Sequence, residues 1–596
     1  MRVRRIGIPS ITIRRFESWR PWHALLGVLL LWSLEVDLIA EDLPRARRDE
    51  LAATLSKADE ATRLSAVVEA GACQGPNALA VLTALLADRR YTVHSSAGQA
   101  LLRTPGGAGQ TSGAQILVGL LSHRDGRMRA KALPWAAQAD PAAVLKLLPT
   151  LVADREAAVR RALLAALLET PALRESMLAS DPAIQALGKL ASDRDLAVRL
   201  AVNQVAALAA RDDLAKTVLS SAAQGGETIL VDAAVRLAAT SQKPLVIQVL
   251  NRILSHPQVE IRAAGVEALG LVGGDAAIPT LLAALNANSG GKFAEVRAAI
   301  ADAIGFIAPT DPAVAATCEK PLALIASQDN WWGARQAAGW ALLRLGSKLA
   351  PPALILGLGK DGDADHRDLL RTATGERWKD AGDWKRWWTG VAKEWKGERI
   401  FTVDEVTNLT IYQVTDATRG VAFAIELPED NQIRDVPTAE GGTEQRTIAE
   451  TVRYELWRQV SRFEPGTRFC VAINRSWWRP TPLRATWRNK ALLKDMLDQG
   501  LAGTHPCQEP VEESLDQPLC ESVVWVCRGD PSFKGSVGGP ETVAAITNHN
   551  FDRADPRRLH TVGLWFARSD RQYDPVAEKS LTDIAAANGG SYKAIR

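Results

Sequence analysis

The chain reads as α plus α/β, an α-α solenoid followed by a doubly wound, mostly parallel α/β domain. Three observations predict this. A short phrase of helical period recurs between about residues 50 and 360. A Trp-rich stretch interrupts it at 361–400. From 401 to 596, short apolar runs alternate with helical ones.

The recurring phrase is DREAAVRRALLAAL from Asp154 and DRDLAVRLAVNQVAAL from Asp193. Variants stand at Asp88, Met128-Arg129, Val235-Arg236, Ile261-Arg262, Val296-Arg297 and around Arg335. The Arg or His of the phrase falls at 94, 129, 160, 199, 236, 262, 297 and 335. Steps of 35, 31, 39, 37, 26, 35 and 38 lie near a two-helix repeat length. Apolar residues recur at three and four, so each copy is an amphipathic helix, with breaks such as Gly270 and Pro279 between copies. One helical pair cannot bury its own apolar face, so the copies must stack. They resemble the HEAT-repeat family, with its armadillo-type curved ribbon. That resemblance gives the Asp before each helix a capping role and has the Arg after Val tie one repeat to the next. It therefore makes Asp154, Asp193, Arg160 and Arg199 structural. Charges alternate in sign along the region, which predicts a solvated, salt-bridged surface rather than a basic stripe on the concave face.

At 357–362 the chain matches GxGxxG, but after a helical repeat rather than a strand, so it lacks the context of a phosphate loop. Asp361, Asp363 and Asp365 imitate a calcium loop whose sixth and twelfth positions, His366 and Thr372, are wrong for it. Trp384, Trp387, Trp388 and Trp395 follow one helical stripe. Residues 361–400 are expected to cap the solenoid and link it to the next domain; an interfacial, membrane-facing helix is the alternative.

In the last third, Leu409–Val414, Val421–Leu427, Arg468–Asn474, Ser522–Cys527, Leu559–Leu564 and Tyr592–Ile595 read as strands. Ile448–Phe463, Asn489–Leu497 and Val576–Asn588 read as helices. This alternation predicts right-handed crossovers and a ligand edge beyond the carboxyl ends of the strands. The series resembles a von Willebrand factor A domain. In that family the edge carries a metal-ion-dependent adhesion site built from Asp-x-Ser-x-Ser, a Thr after Gly, and an Asp before Gly. Carried over residue by residue, Glu426 replaces the first Asp, Pro428 the first Ser and Asp430 the second Ser. Thr504 survives, and Arg528 replaces the last Asp, two residues before Asp530. Pro428 has no side-chain oxygen, and Arg528 puts a fixed cation where a cation's ligand belongs. The site is therefore expected to be degenerate, with no metal and no other cofactor, and with Arg528 pairing with Glu426 or Asp430. A shifted site using Glu426, Glu429, Asp430 and Asp530 is the alternative.

Of the formal +3 charge, residues 1–40 supply all, from six Arg against Glu17, Glu35 and Asp37. The rest is neutral and gives no basic field for nucleic acid. The Arg-rich start, the apolar Ala24–Trp32 and the acids from Glu35 have the layout of a secretory signal or N-terminal anchor. Export to the periplasm or cell envelope is expected, with membrane contact only through that segment. The six Cys form neither a disulfide framework nor a zinc ribbon, although export would allow Cys507 and Cys520 to pair. Thr504, His505 and Cys507 are neighbours on a loop rather than a triad. The functional expectation is a non-enzymatic scaffold that binds protein partners through the solenoid and the domain's loop edge. A divalent-metal-dependent adhesion protein is the alternative.

Overall fold

The computed structural model describes residues 42–397 and 419–595, apart from 56, 106–110, 361–362, 427–432, 438–442, 475, 480, 500–507, 528–538, 554 and 565–574. From Arg45 to Thr374 helices alternate between two rows. The inner row is α1 (Glu60–Gly71), α2 (Tyr91–Arg103), α3 (Gly126–Ala139), α4 (Ala157–Glu169), α5 (Leu196–Ala209), α6 (Glu227–Ala238), α7 (Val259–Val272), α8 (Ala294–Ile307), α9 (Trp332–Leu345) and α10 (Asp363–Thr374). Each packs on the next, which makes a solenoid. Ala is what lets them approach: Ala263, Ala264, Ala298, Ala334 and Ala337 are fully buried. At Gly305 a Cβ would lie 2.7 Å from Trp340 of the next helix, so no side chain fits there. Pro76, Pro141, Pro171 and Pro312 open outer helices at positions where a missing N–H costs nothing.

The fourth residue of most inner helices is the Arg of the phrase. Arg129 binds Asp154 through two bonds of 2.7 Å, and Arg160 binds Asp193 at 2.6 and 2.8 Å. Arg297 binds Asp329 at 2.6 and 3.0 Å, and Arg63 reaches Asp88 at 2.8 Å. The same guanidinium returns to its own approach loop, as Arg335 does to the carbonyl of Asp329 at 2.8 Å. Each Asp lies just ahead of the next inner helix, so a bidentate pair staples consecutive repeats. Burial alone would raise the carboxyls of Asp154 and Asp193, but Arg129 and Arg160 hold both below the usual range.

Three details differ from the sequence reading. Asp154 and Asp193 accept from the backbone N–H groups of Glu156 and Asp195, two residues on; they close the turn, and Asp195 itself caps α5 by accepting from Val198 at 3.0 Å. Arg199 has no Asp partner of the ladder type and donates to the carbonyl of Gly225 at 3.2 Å. In α6 the fourth residue is Leu230, and Arg236 lies in the last turn, bonded to Asp232 at 2.9 Å. With Leu230 in register, the uneven steps of 37 and 26 become 31 and 32.

Past α10, α11 (Ala381–Val391) buries Trp384, whose ring meets Trp387 edge-on at 5.6 Å. Trp395 lies beyond the helix end, yet its ring packs against Trp387 and Trp388 at 6.2 and 6.1 Å. α11 rests on the outer helix Ala350–Gly357, at the end of the solenoid.

The strands are β1 (Gly420–Ile425), β2 (Ile433–Pro437), β3 (Thr443–Thr447), β4 (Arg468–Ile473), β5 (Ser476–Trp477), β6 (Leu483–Arg484), β7 (Ser522–Cys527), β8 (Arg558–Leu564) and β9 (Tyr592–Ile595). The main sheet runs β5-β4-β1-β7-β8-β9, with β4, β1, β7, β8 and β9 mutually parallel and β5 and β6 antiparallel on β4. The helices α12 (Ile448–Ser461), α13 (Trp487–Asp498), α14 (Gln508–Leu515), α15 (Pro540–Phe551) and α16 (Pro575–Ala587) flank it. The sheet is therefore mixed and doubly wound. Its residues alternate between two cores. Ala422, Cys470, Val523 and Trp525 join a cluster with residues of α14, α15 and α16. Val421, Phe423, Val471 and Val524 belong to one continuous core with α12, α13 and the whole solenoid. The hairpin β2–β3 was not expected from the sequence, and the strand expected at Leu409–Val414 lies outside the described residues.

Candidate functional site

The two halves of the chain meet on α13. Thr486 caps this helix, accepting from Asn489 at 3.2 Å. That leaves the first two backbone N–H groups, of Trp487 and Arg488, without a partner from their own helix. Both are answered from the solenoid. Asp302 of α8 accepts from Trp487 at 3.3 Å and from Arg488 at 2.9 Å. A carboxylate of one module thus caps a helix of the other, where the helix dipole favours negative charge. Burial pushes the Asp302 carboxyl up to about 7, against the pull of these two donors.

Around this cap the charges are complementary. The Arg488 guanidinium is 2% exposed and bonds Glu227 of α6 at 2.5 Å and Glu295 of α8 at 3.0 Å. Burial alone would lower its value; the two carboxylates reverse that and raise it. Arg484 of β6 lies 3.3 Å from Glu267 of α7, whose carboxyl burial pushes up. Lys494 lies 3.5 Å from Asp365 of α10 and 4.7 Å from the centre of the Trp332 ring. Burial raises Asp365 to about 6. Lys490 is lowered to about 8 by burial, and its ammonium donates to the carbonyls of Ser461 and Phe463 at 2.9 and 2.7 Å, closing the end of α12. Asp495 accepts from the indoles of Trp331 and Trp332 at 2.7 and 2.6 Å. Thr228 of α6 donates to the carbonyl of Pro482 at 2.9 Å. Backbone approach is close: a Cβ on Gly333 would stand 2.5 Å from that of Ala491.

A second contact joins the other end of the solenoid. The guanidinium of Arg90, just ahead of α2, stands 5.7 Å over the ring of Phe551, at the end of α15. Asp552 follows, its carboxyl raised by burial and held back by Lys131 of α3. Both α15 and β6 contribute at the amino edge of the sheet, because α15 leads into the start of β8 and Arg484 pairs in register with Arg468. The solenoid thus grips the amino edge and the α13 side. At α6–α10 its inner face is acidic and buried under the chain's own domain, which corrects the expectation of a solvated surface there. Desolvated carboxylates persist because Glu227, Glu267 and Asp365 face cations and Asp302 faces helix N–H groups.

The carboxyl edge lies at the other end of the strands. Chain order reverses between β1 and β7, so their carboxyl ends form the switch point of the sheet. Glu426 stands there, its backbone N–H donating to the carbonyl of Val526 at 3.0 Å. Of the other candidates, Asp430, Thr504, Arg528 and Asp530 lie outside the described residues, as do Pro428, Glu429, His505 and Cys507. The register Ile425↔Val526 makes the ends of β1 and β7 neighbours. Among the described residues no three His, Cys, Asp or Glu side chains are grouped as a cation's ligands would be.

Sequence reading missed the seat itself. One signal was present: Glu267 and Asp302 both stand five residues after the Arg of their phrase, inside an otherwise apolar helix face. An acid repeated at a core position requires a partner.

No protein-family model and no curated protein sequence matches the chain. Solved structures give weak similarities. Kap121p is matched at 13% identity and a TM-score of 0.34, over 60% of this chain and 46% of its own. The CpcE–CpcF complex of phycocyanin lyase from Nostoc is matched at 18% and 0.20, over 43% and 97%. Yeast importin-beta (Kap95p) is matched at 13% and 0.18, over 58% and 62%. The chain thus spans less than half the length of Kap121p, and likenesses at these scores add nothing to the solenoid seen directly.

Proposed function

We propose that the protein is a non-enzymatic scaffold of the cell envelope that recognises a protein partner at the carboxyl edge of a von Willebrand A-like domain. The solenoid serves as the mount. The observation that carries this reading is the direction of the grip. The inner face of α6–α10 is filled by α13, and Arg90 stands over Phe551 at the end of α15, so the amino edge is occupied while the switch-point edge points away. The strand order supports the A-like reading, with β1 central and an antiparallel strand beyond β4. In this view Glu426, Asp430, Thr504, Arg528 and Asp530 form the recognition rim, and Arg528 supplies the positive charge that a metal supplies elsewhere. The solenoid's remaining contribution to partners is its outer row, where Leu324 and Leu356 are exposed.

A photo-crosslinking residue at Glu426, compared with one at Leu356 in the full chain, tests this in envelope fractions. The proposal predicts a discrete crosslinked protein from position 426 that is lost in Arg528→Glu. Equal labelling from both positions contradicts it. The metal-dependent alternative predicts stoichiometric Mg²⁺ or Mn²⁺ binding by calorimetry that Glu426→Ala abolishes; the scaffold reading predicts no such binding.

A further inference from the structure

We propose that Cys470 and Cys520 form a redox pair that closes to a disulfide, tying β4 to the approach of β7. Their sulfurs stand 4.0 Å apart, and the residues are 0% and 1% exposed. The pairing is not between neighbouring strands, because β1 runs between β4 and β7. Two small residues of β1 open the way. At Gly420 a Cβ would come within 2.2 Å of the carbonyl oxygen of Leu519, so only glycine lets that turn cross the start of β1. Ala422, the register partner of Cys470, leaves the space above it to sulfur. Leu519 has a φ of +71°, a left-handed conformation that L residues rarely adopt, and it turns the chain so that Cys520 enters the core. The N–H of Glu521 then anchors the turn on the carbonyl of Gly420 at 2.9 Å. A costly backbone conformation and a forced glycine both serve to bring the second thiol to the first.

Burial raises the Cys470 thiol, and the neighbouring Cys520 raises it further, so thiolate is scarce in the closed domain. Oxidation therefore belongs to the open or folding state. One thiolate attacks glutathione disulfide and releases a glutathione thiolate; the second displaces the other glutathione from the mixed disulfide. Two thiols lose two electrons and two protons, and one glutathione disulfide becomes two glutathiones. The bond then closes a span of 50 residues that contains α13, and folding shields it from exchange. The partner is Cys470 rather than Cys507, the pairing that export would have allowed from the sequence.

The test refolds the full chain across glutathione buffers of increasing oxidation, alkylates remaining thiols in denaturant, and maps peptides by mass. Residues 470 and 520 should lose alkylation together, and a crosslinked peptide about 2 Da lighter than the two thiol peptides should appear. Cys507→Ala should leave that peptide in place, and Cys520→Ala should remove it. A bridge from Cys520 to Cys507, or full alkylation of both residues in the most oxidising buffer, overturns the proposal. Because the wild-type map alone decides between these results, misfolding of a variant does not leave the question open.

Discussion

The staple ladder and the seat of the solenoid use the same kind of acid in opposite ways. In α3–α5, Asp154 and Asp193 face an Arg of the preceding repeat and are held below the usual carboxylate range. In α7 and α8, Glu267 and Asp302 point inward and are pushed up by burial. The first pair binds repeat to repeat; the second binds the solenoid to another module. A ladder carboxylate gains most from its own guanidinium. A seat carboxylate loses its water and is answered by a helix terminus or a distant Arg. The solenoid's rigidity and its grip therefore rest on different chemistry, and each can be broken alone.

The largest effect is expected at Arg488. Arg488→Ala strands Glu227 in the seat, while the partly exposed Glu295 keeps water, and loss of the buried partner costs roughly 3 kcal/mol. Calorimetry should then show the α/β domain melting separately from the solenoid, whereas the parent chain should melt as one. A single transition at the parent temperature would show that the seat does not couple the modules.

Asp302 separates the two chemistries by pH. Its carboxyl lies at about 7 when seated, above the ordinary 3.8. A raised value means that protonation favours the seated state. Its contribution is full below about 4 and is lost as pH rises through about 7. Asp302→Asn keeps one hydrogen-bond acceptor and removes the titration. The difference in melting temperature between parent and variant should thus shift in favour of the variant between pH 5 and 8. Parallel curves would place the charge of Asp302 elsewhere. Lys490, lowered to about 8 by burial, works in the opposite sense, with its contribution lost as pH falls through 8, and the charge of Asp302 is one of the two that hold its value up.

The smallest effect is expected in the ladder. Arg160→Ala removes a bidentate pair at 2.6 and 2.8 Å, yet Asp193 keeps its turn bond to Asp195. A loss of about 1–2 kcal/mol is expected by denaturant melting, with the seat intact by the same calorimetric criterion. Separation of the domains in this variant would merge the two chemistries into one.

Much of the architecture was legible because period is a local property. The strands at 421, 468, 522 and 592 and the helices at 448–463, 489–497 and 576–588 follow from apolar spacing within ten residues, whereas α14 was not expected from the sequence. Register in α6 was not legible, since Val235-Arg236 imitates the phrase six residues late while Leu230 occupies the true position. The hairpin β2–β3 escaped because IRDVP and TEQRT carry no apolar alternation. The seat escaped for a different reason. Trp487-Arg488-Asn489-Lys490 reads as a solvated helix start, yet all four residues are buried. The solenoid partners of Trp487 and Arg488 stand more than 100 residues away, and such pairings leave no periodic trace. Of the candidate rim, Glu426 stands at the end of β1, as the strand pattern implied.

Hydrogen exchange at the start of α13 measures the grip most directly. In an unseated helix the amides of Trp487 and Arg488 face water and exchange within the fraying regime of a helix terminus. With Asp302 accepting from both, they should be protected in the full chain as strongly as those of β1, and Asp302→Ala should release them while β1 stays protected. Exchange at the rate of an open helix end in the parent chain would contradict the account.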